Sequence, residues 1–163
     1  MSQRSVIDVT ADRPHVRIVR RFKASPERVF DSWVKPEMLE QWMFHPTLRN
    51  EEVLRIAIDA RVGGSFSFEI RRNDQKINHI GKYLEIDRPQ RLIFTWANAP
   101  ASPEPDVASC VTVEIVAQTG GCELTLTHEV PRQWADRMRM RRIEESWTQE
   151  LGVMAELLSQ IRV

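Results

Sequence analysis

Four histidines (His15, His45, His79, His128) and two carboxylates among aromatic neighbours (Glu69, Glu85) are the groups of this chain placed to move a proton near neutral pH. The histidines stand thirty or more positions apart, without the short spacings by which side chains close on a metal ion. The thioether of Met43 beside His45 is a poor zinc ligand. No metal is expected, and each histidine reads first as packed or solvated. The chain lacks a nucleophile elbow, a phosphate-binding loop and a dinucleotide fingerprint, so no cofactor is expected either. A group of arginines remains: Arg132, Arg137, Arg139, Arg141 and Arg142, with Asp136 alone among them. Positive charge near a helix amino terminus is unfavourable. The group therefore reads either as a grip on an acidic partner, through Arg137, Arg139 and Arg141, or as a solvated face paired with Glu144, Glu145 and Glu150.

Charge over the whole chain balances, 23 basic residues against 23 acidic, which gives no general attraction to nucleic acid or membrane. No run is long and apolar enough to span a bilayer. The first residues, MSQRSVIDVTADRP, lack the apolar core of a signal peptide, so a cytoplasmic location is expected. A hairpin turning at Gly120-Gly121 would set Cys110 opposite about residue 131, ~30 Å along the strand from Cys122. Two reduced thiols are expected.

The elements that must position these groups are mostly strands. Residues 1–14 are polar and read as a loose tail, leaving 15–163 as one domain. Val16, Ile18, Arg20 and Phe22 share one side of a first strand, with Arg20 the odd member. Ser25-Pro26-Glu27 combines an N-cap, a first-turn proline and an acid at the positive end of a short helix. Lys35-Pro36 breaks it, and a second short helix carries Met38, Leu39 and Trp42. The exposed side of the pair (Glu27, Arg28, Asp31, Glu37, Glu40) is too acidic for phosphate contacts.

Leu54, Ile56 and Ile58 alternate, as do Phe66, Phe68 and Ile70, around Gly63-Gly64. Their apolar faces match only across a loop of three or five residues or a glycine bulge. The strand from His79 to Asp87 has no evident inner face: Ile80, Leu84 and Ile86 oppose His79, Gly81, Tyr83 and Glu85. Leu92, Phe94 and Trp96 form the next inner row. Residues 97–108 hold three prolines and form a long loop of the kind that often carries function. The Gly120-Gly121 turn would pair Ile115 with Leu126 and Val113 with His128, turning His128 inward. From Pro131 to Ile161 a helix of ~40 Å is expected, with Ile143, Trp147, Leu151, Met154, Leu158 and Ile161 on one stripe.

The stretches RRFKASPERVFDSWVKPEMLEQW at 20–42, DARVGGSFSFEI at 59–70, GKYLEIDRPQRLIFTW at 81–96 and ESWTQELGVMAELL in the last helix resemble homologues of the activator of the heat-shock protein 90 ATPase. That branch lies within the START-related superfamily of cyclase- and allergen-like proteins. The resemblance implies an α+β helix-grip fold: a curved antiparallel sheet of about seven strands around a long C-terminal helix, two short helices after strand one, and a cavity between sheet and helix. The residues suggest an apolar lining suited to a small hydrophobic or aromatic molecule, though such a stripe also serves as plain core. The expected ligand-binding set is Arg20, Trp42, Phe66, Phe68, Tyr83, Glu85, Phe94, Trp96, His128 and Trp147. Two alternatives follow from the same resemblance: a co-chaperone-like protein-binding domain, and a cofactor-free cyclase or hydratase acting through Glu85 and His128. A homodimer through the Trp134–Met138 region is a further expectation.

Overall fold

The alternating segments assemble into one curved antiparallel sheet. The computed structural model describes residues 3–160. In chain order the elements are β1 (Gln3–Asp8), β2 (His15–Phe22), α1 (Pro26–Val34), α2 (Pro36–Met43), β3 (Glu51–Ile58), β4 (Ser65–Arg72), β5 (Gln75–Asp87), β6 (Arg91–Asn98), β7 (Ser109–Gln118), β8 (Gly121–Glu129) and α3 (Arg137–Gln160). The spatial order is β1-β2-β8-β7-β6-β5-β4-β3. Met140, Trp147, Leu151, Met154 and Leu158 of α3 are buried on the sheet's inner face, with Ile143 half-buried; Ile161 lies outside the described residues.

The amino-terminal segment corrects one expectation. Residues 3–8 are a strand, β1, paired along β2 from Gln3↔Arg20 to Asp8↔His15. Val6 and Ile7 supply the β-branched side chains, and the unpaired edge of β2 supplies the hydrogen bonds. The sheet thus has eight strands, and the short helices follow the second. The long helix also starts later than Pro131. That proline is extended and precedes one 3₁₀ turn over Arg132–Trp134. Asp136 then caps α3, accepting from the Arg139 backbone N–H at 2.9 Å. Arg132 is left outside the helix and donates to the Ala11 and Asp12 carbonyls.

Two bulges settle the strands that the alternation left ambiguous. Tyr83 pairs with Phe94 and Glu85 with Ile93, so Leu84 is the extra residue and stands half out in solvent. Gly81 and Tyr83 therefore face inward on one side of the bulge and Ile86 on the other, while Glu85 faces out. A second bulge at Leu54 puts Val53 opposite the buried Ile70 and takes Leu54 out of the inner row. The β3–β4 connection closes with Asp59 N–H on the Ser65 carbonyl at 2.9 Å, an odd-length loop over residues 60–64 as the matched faces require. The last hairpin turns at Thr119-Gly120 instead, with Gly120 at φ +81°. Val113 then meets Leu126, and His128 meets Val111. The free cysteines lie opposite Glu129 and Ala117. The 99–108 loop folds onto the outer side of β6, where the buried Thr95 hydroxyl donates to the Pro103 carbonyl at 2.6 Å and Lys82 pairs with Glu104.

Gly81 has no alternative in this packing. A Cβ there would overlap the Thr95 carbonyl on β6 and the Phe66 ring, which lies over it from the opposite strand position. Gly81→Ala is expected to cost about 2–4 kcal/mol in urea denaturation. Gly152→Ala, in α3 with nothing within 4 Å of the added carbon, should stabilise by up to about 1 kcal/mol. Equal midpoints for the two variants would contradict this packing.

Candidate functional site

Phe66, Phe68, Tyr83, Phe94 and Trp96 do converge, joined by Trp33, Leu39 and Met43. They fill the space they enclose. Phe66 stacks on Phe68 at 4.6 Å, meets Phe94 edge-on at 5.7 Å, and lies 5.6 Å from Trp96. The gap left is about 10 Å³, room for one water at most. The wide apolar cavity expected from the lining is therefore closed in this conformation. Trp42 lies behind it, edge-on to Trp33 at 4.7 Å, with its indole N–H on the Ser32 carbonyl at 2.8 Å.

The open space is next door and is not apolar. A cleft of about 230 Å³ is bordered by Met43 and Phe44 at the end of α2, Arg49 in the following loop, Arg72 of β4, His79 of β5, Trp96 of β6, and Ser146, Trp147 and Glu150 of α3. Three charged residues here were not expected at a site: Arg49, Arg72 and Glu150, the last read as a surface partner of the arginine group. Two left a signal. Glu150 stands three after Trp147 and four before Met154, squarely on the apolar stripe; Arg72 continues the inward row Phe66, Phe68, Ile70. Arg49, in a loop, left none.

These charges form one network. The buried Glu51 carboxylate accepts from Arg49 Nε at 3.0 Å and from Arg72 Nε and Nη2 at 2.9 and 2.7 Å. Arg49 Nη2 also donates to Glu150 Oε2 at 3.0 Å and to the Met43 carbonyl at 3.1 Å. Burial pushes the Glu150 carboxyl up to about 7, and the Arg49 charge only partly opposes it. Burial works against the charge of Arg49 too, but Glu150 and Glu51 outweigh it and hold that guanidinium charged. His79 is stacked on Trp96 at 4.9 Å. Its Nδ1 contacts Asn98 Oδ1 at 2.6 Å, which fixes the proton on Nδ1 and leaves Nε2 as an acceptor. Burial lowers its pKa, so it is neutral at pH 7. No group of three or more His, Cys, Asp or Glu side chains converges among the described residues; the donors present suit an anion.

The remaining expected site residues divide. Trp147 borders the cleft. His128 faces inward, yet its hydrogen-bonding capacity is used up. Trp147 Nε1–H donates to its Nδ1 at 3.0 Å, its Nε2–H therefore donates to Ser109 Oγ at 2.9 Å, and Ser109 donates to the Trp96 carbonyl at 2.9 Å. Fully buried and neutral, with a pKa pushed down to about 4, it holds helix to sheet and does not reach the cleft. Arg20 bonds Gln3 Oε1 at 2.9 Å, and Gln3 reaches Thr148 of α3, so Arg20 borders neither the aromatic gap nor the cleft. Glu85 itself is 45% exposed on the outer face beside Arg91, because the Leu84 bulge reverses its side of the strand. An acid–base reading through Glu85 and His128 thus loses both its groups.

His128 and Glu150 give opposite pH dependences. His128 binds its proton more weakly folded than unfolded, so its contribution is complete above about pH 6.5 and is lost as pH falls towards 4; His79 adds to this in the same direction. Glu150 binds its proton more tightly folded, so its contribution is complete below about pH 4.5 and is lost as pH rises through 7. In the wild type the two largely cancel between pH 4.5 and 6.5. Glu150→Gln should unmask a stability that rises with pH across that window by about 1–3 kcal/mol. A chemical-denaturation series giving parallel pH profiles for variant and wild type would contradict the buried carboxyl.

Comparison with known proteins agrees with this architecture. Residues 23–159 match the family described as activator of Hsp90 ATPase homolog 1-like protein. No curated protein matches the chain. A crystal structure from Chromobacterium violaceum is 25% identical, with a TM-score of 0.72 over 90% of this chain and 99% of the other. One from Rhodobacter sphaeroides reaches a TM-score of 0.80 at 16% identity, covering 98% and 99%. A solution structure from Staphylococcus epidermidis has a TM-score of 0.74 at 23% identity over 97% and 96%. The last two likenesses carry the fold alone. With its family match spanning most of the sequence, the chain belongs to the activator of Hsp90 ATPase homolog 1-like family.

Proposed function

We propose that the protein binds a small aromatic acid, its ring against Trp96, Trp147 and Phe44 and its acid group among Arg49, Arg72, His79 and Glu150. Family membership suggests ligand binding in general terms; the residues of the cleft suggest the ligand's chemistry. The observation that carries the reading is a cleft with aromatic walls in which a nearly buried carboxyl, pushed up to about 7 by burial, stands 3.0 Å from the Arg49 guanidinium. A protonated Glu150 donates a hydrogen bond to an incoming anion, and the arginines supply charge-assisted bonds. At about 230 Å³ the space is smaller than the roughly 300–1,000 Å³ of drug-sized sites, which suits one or two rings.

The test is titration with 2-naphthoate, followed by quenching of tryptophan fluorescence. Saturable quenching is expected, with Kd rising several-fold from pH 6 to 8 as Glu150 ionises and repels the anion. Burial lowers the His79 pKa, so its own protonation is displaced towards the acid end of this range. Glu150→Gln should flatten the profile. Arg72→Met should weaken binding about 10-fold or more, the worth of a hydrogen bond to a charged group. An unsaturable response, or an unchanged Kd in Arg72→Met, rules the reading out.

A second reading, protein binding of a co-chaperone kind, is favoured by a separate surface. None of Arg137, Arg139 and Arg141 pairs with a carboxylate among the described residues. The expected pairs are diverted, since Glu144 accepts from Ser5 Oγ at 2.6 Å and Glu150 from Arg49. Arg139 lies over the half-exposed Trp134 ring at 5.7 Å, and Met138 is 68% exposed. Unpaired cations beside exposed apolar side chains suit an acidic protein face. Purified heat-shock protein 90 chaperone should be retained by the wild type and lost when all three arginines become Glu; equal retention would remove this surface from the interaction.

A further inference from the structure

We propose that two copies of this chain join edge to edge through β1, with Val6 on the two-fold axis. The contact is independent of the cleft, which borders β4, β5 and β6 towards the other end of the sheet. β1 is the last strand at its own end, so one edge of its backbone has no strand partner among the described residues. Sheet edges are commonly guarded against pairing by a bulge, a proline or an inward-pointing charge. The opposite edge, β3, carries the bulge at Leu54. β1 has none of these devices and pairs with β2 in unbroken register from Gln3 to Asp8. Gln3 and Ser5 turn their side chains to α3, reaching Thr148 and Glu144, so Arg4, Val6 and Asp8 stand on the outer face of the sheet.

That outer row is complementary to itself. In an antiparallel pair centred on Val6, Arg4 falls opposite the partner's Asp8, Val6 opposite the partner's Val6, and Asp8 opposite the partner's Arg4. Opposite charges directly across strands stabilise the pairing, and one axis satisfies both at once. Each group is available. Val6 is 58% exposed; Arg4 is exposed and joins no ion pair among the described residues. Asp8 Oδ1 accepts from the Thr10 and Ala11 backbone N–H at 2.9 and 3.0 Å, which leaves Oδ2 for an incoming guanidinium. The helix beneath repeats the match. α3 runs antiparallel to β1, with Thr148 at Gln3, Glu144 at Ser5, and Arg141 bordering a groove with Ile7. Pairing about Val6 sets Ser5 opposite the partner's Ile7, which brings Glu144 to the partner's Arg141. A second copy thus answers Arg4, Asp8, Arg141 and Glu144 together, which a uniformly acidic strand added to the same edge does not.

The test is sedimentation equilibrium of the full chain from about 1 µM to about 1 mM, a range that covers a small interface. A reversible monomer–dimer equilibrium is expected. Arg4→Asp and Asp8→Arg each turn two attractions into two repulsions and should weaken the dimer about 10-fold or more. Mixed in equal amounts, the two variants regain complementary edges, and their heterodimer, resolved by native mass spectrometry, should form with close to wild-type affinity. Val6→Lys, at an exposed position, places two ammonium groups on the axis and should weaken the dimer to a similar degree; it carries the test if Asp8→Arg, which loses the bonds to Thr10 and Ala11, does not fold. A wild type that stays monomeric over the whole range overturns the proposal and leaves the arginines of α3 to an acidic partner. A dimer indifferent to Val6→Lys and Arg4→Asp, or a mixture of folded variants that associates no better than its components, overturns it as well and places the contact on another surface.

Discussion

Trp147 fixes where α3 sits, and everything else in the interior is arranged around that placement. Its indole N–H reaches His128 on β8 at 3.0 Å, while its ring lies 5.7 Å from Trp33 and 6.4 Å from Trp96. An apolar stripe alone would let a helix slide or rotate over a sheet at small cost, because hydrophobic contact is not directional. A buried hydrogen bond is directional, and leaving its donor unmet is costly. The His128–Ser109–Trp96 chain behind it anchors that bond to β7 and β6 as well as β8. One turn further along, the same placement carries Glu150 into the reach of Arg49.

The Arg49, Glu51, Arg72 and Glu150 network is a poor device for stability. Taking two carboxylates out of water, against guanidiniums that stay partly exposed, costs more than well-packed apolar side chains would. Glu150 shows the cost directly, holding its proton to about pH 7 although a guanidinium stands 3.0 Å away. Glu51 is held from both sides and is structurally satisfied. Glu150 keeps one oxygen free of protein donors among the described residues, and His79 keeps Nε2. Perturbed, incompletely used groups at the edge of a cleft are what a binding or proton-handling site requires.

Much of the fold was legible because the sheet writes its period plainly. Phe66, Phe68 and Ile70, Leu92, Phe94 and Trp96, and the α3 stripe from Ile143 to Leu158 all lie where their spacing puts them. The failures have separate physical causes. Leu84 and Leu54 are bulges, and one extra residue reverses every side chain beyond it; this is why alternation alone gave the strand from His79 to Asp87 no single inner face. The turn at Thr119-Gly120 lies one residue earlier than the glycine pair suggested, since a single glycine at φ +81° is enough. β1 is short and polar, so its strand character comes from the edge it pairs with. In the site, Glu150 was hidden by its surroundings: an acid after a run of arginines invites a surface pairing, and only the apolar neighbours at three and four positions betray that it is buried.

The aromatic interior and the cleft are best understood as one volume divided by side chains. Met43 and Trp96 belong to both walls, so they form a partition one side chain thick, of which Met43 is the flexible half. The inner part is filled by aromatic rings of its own, which lowers the cost of keeping it without a ligand; a large dry cavity would forfeit the packing that holds α3 in place. The outer part can remain open because its walls are polar enough to be wet. Such a division lets the chain keep a packed interior and an open cleft side by side. The apolar lining gives the protein its core, and the charges stand at the mouth of the open cleft beside it.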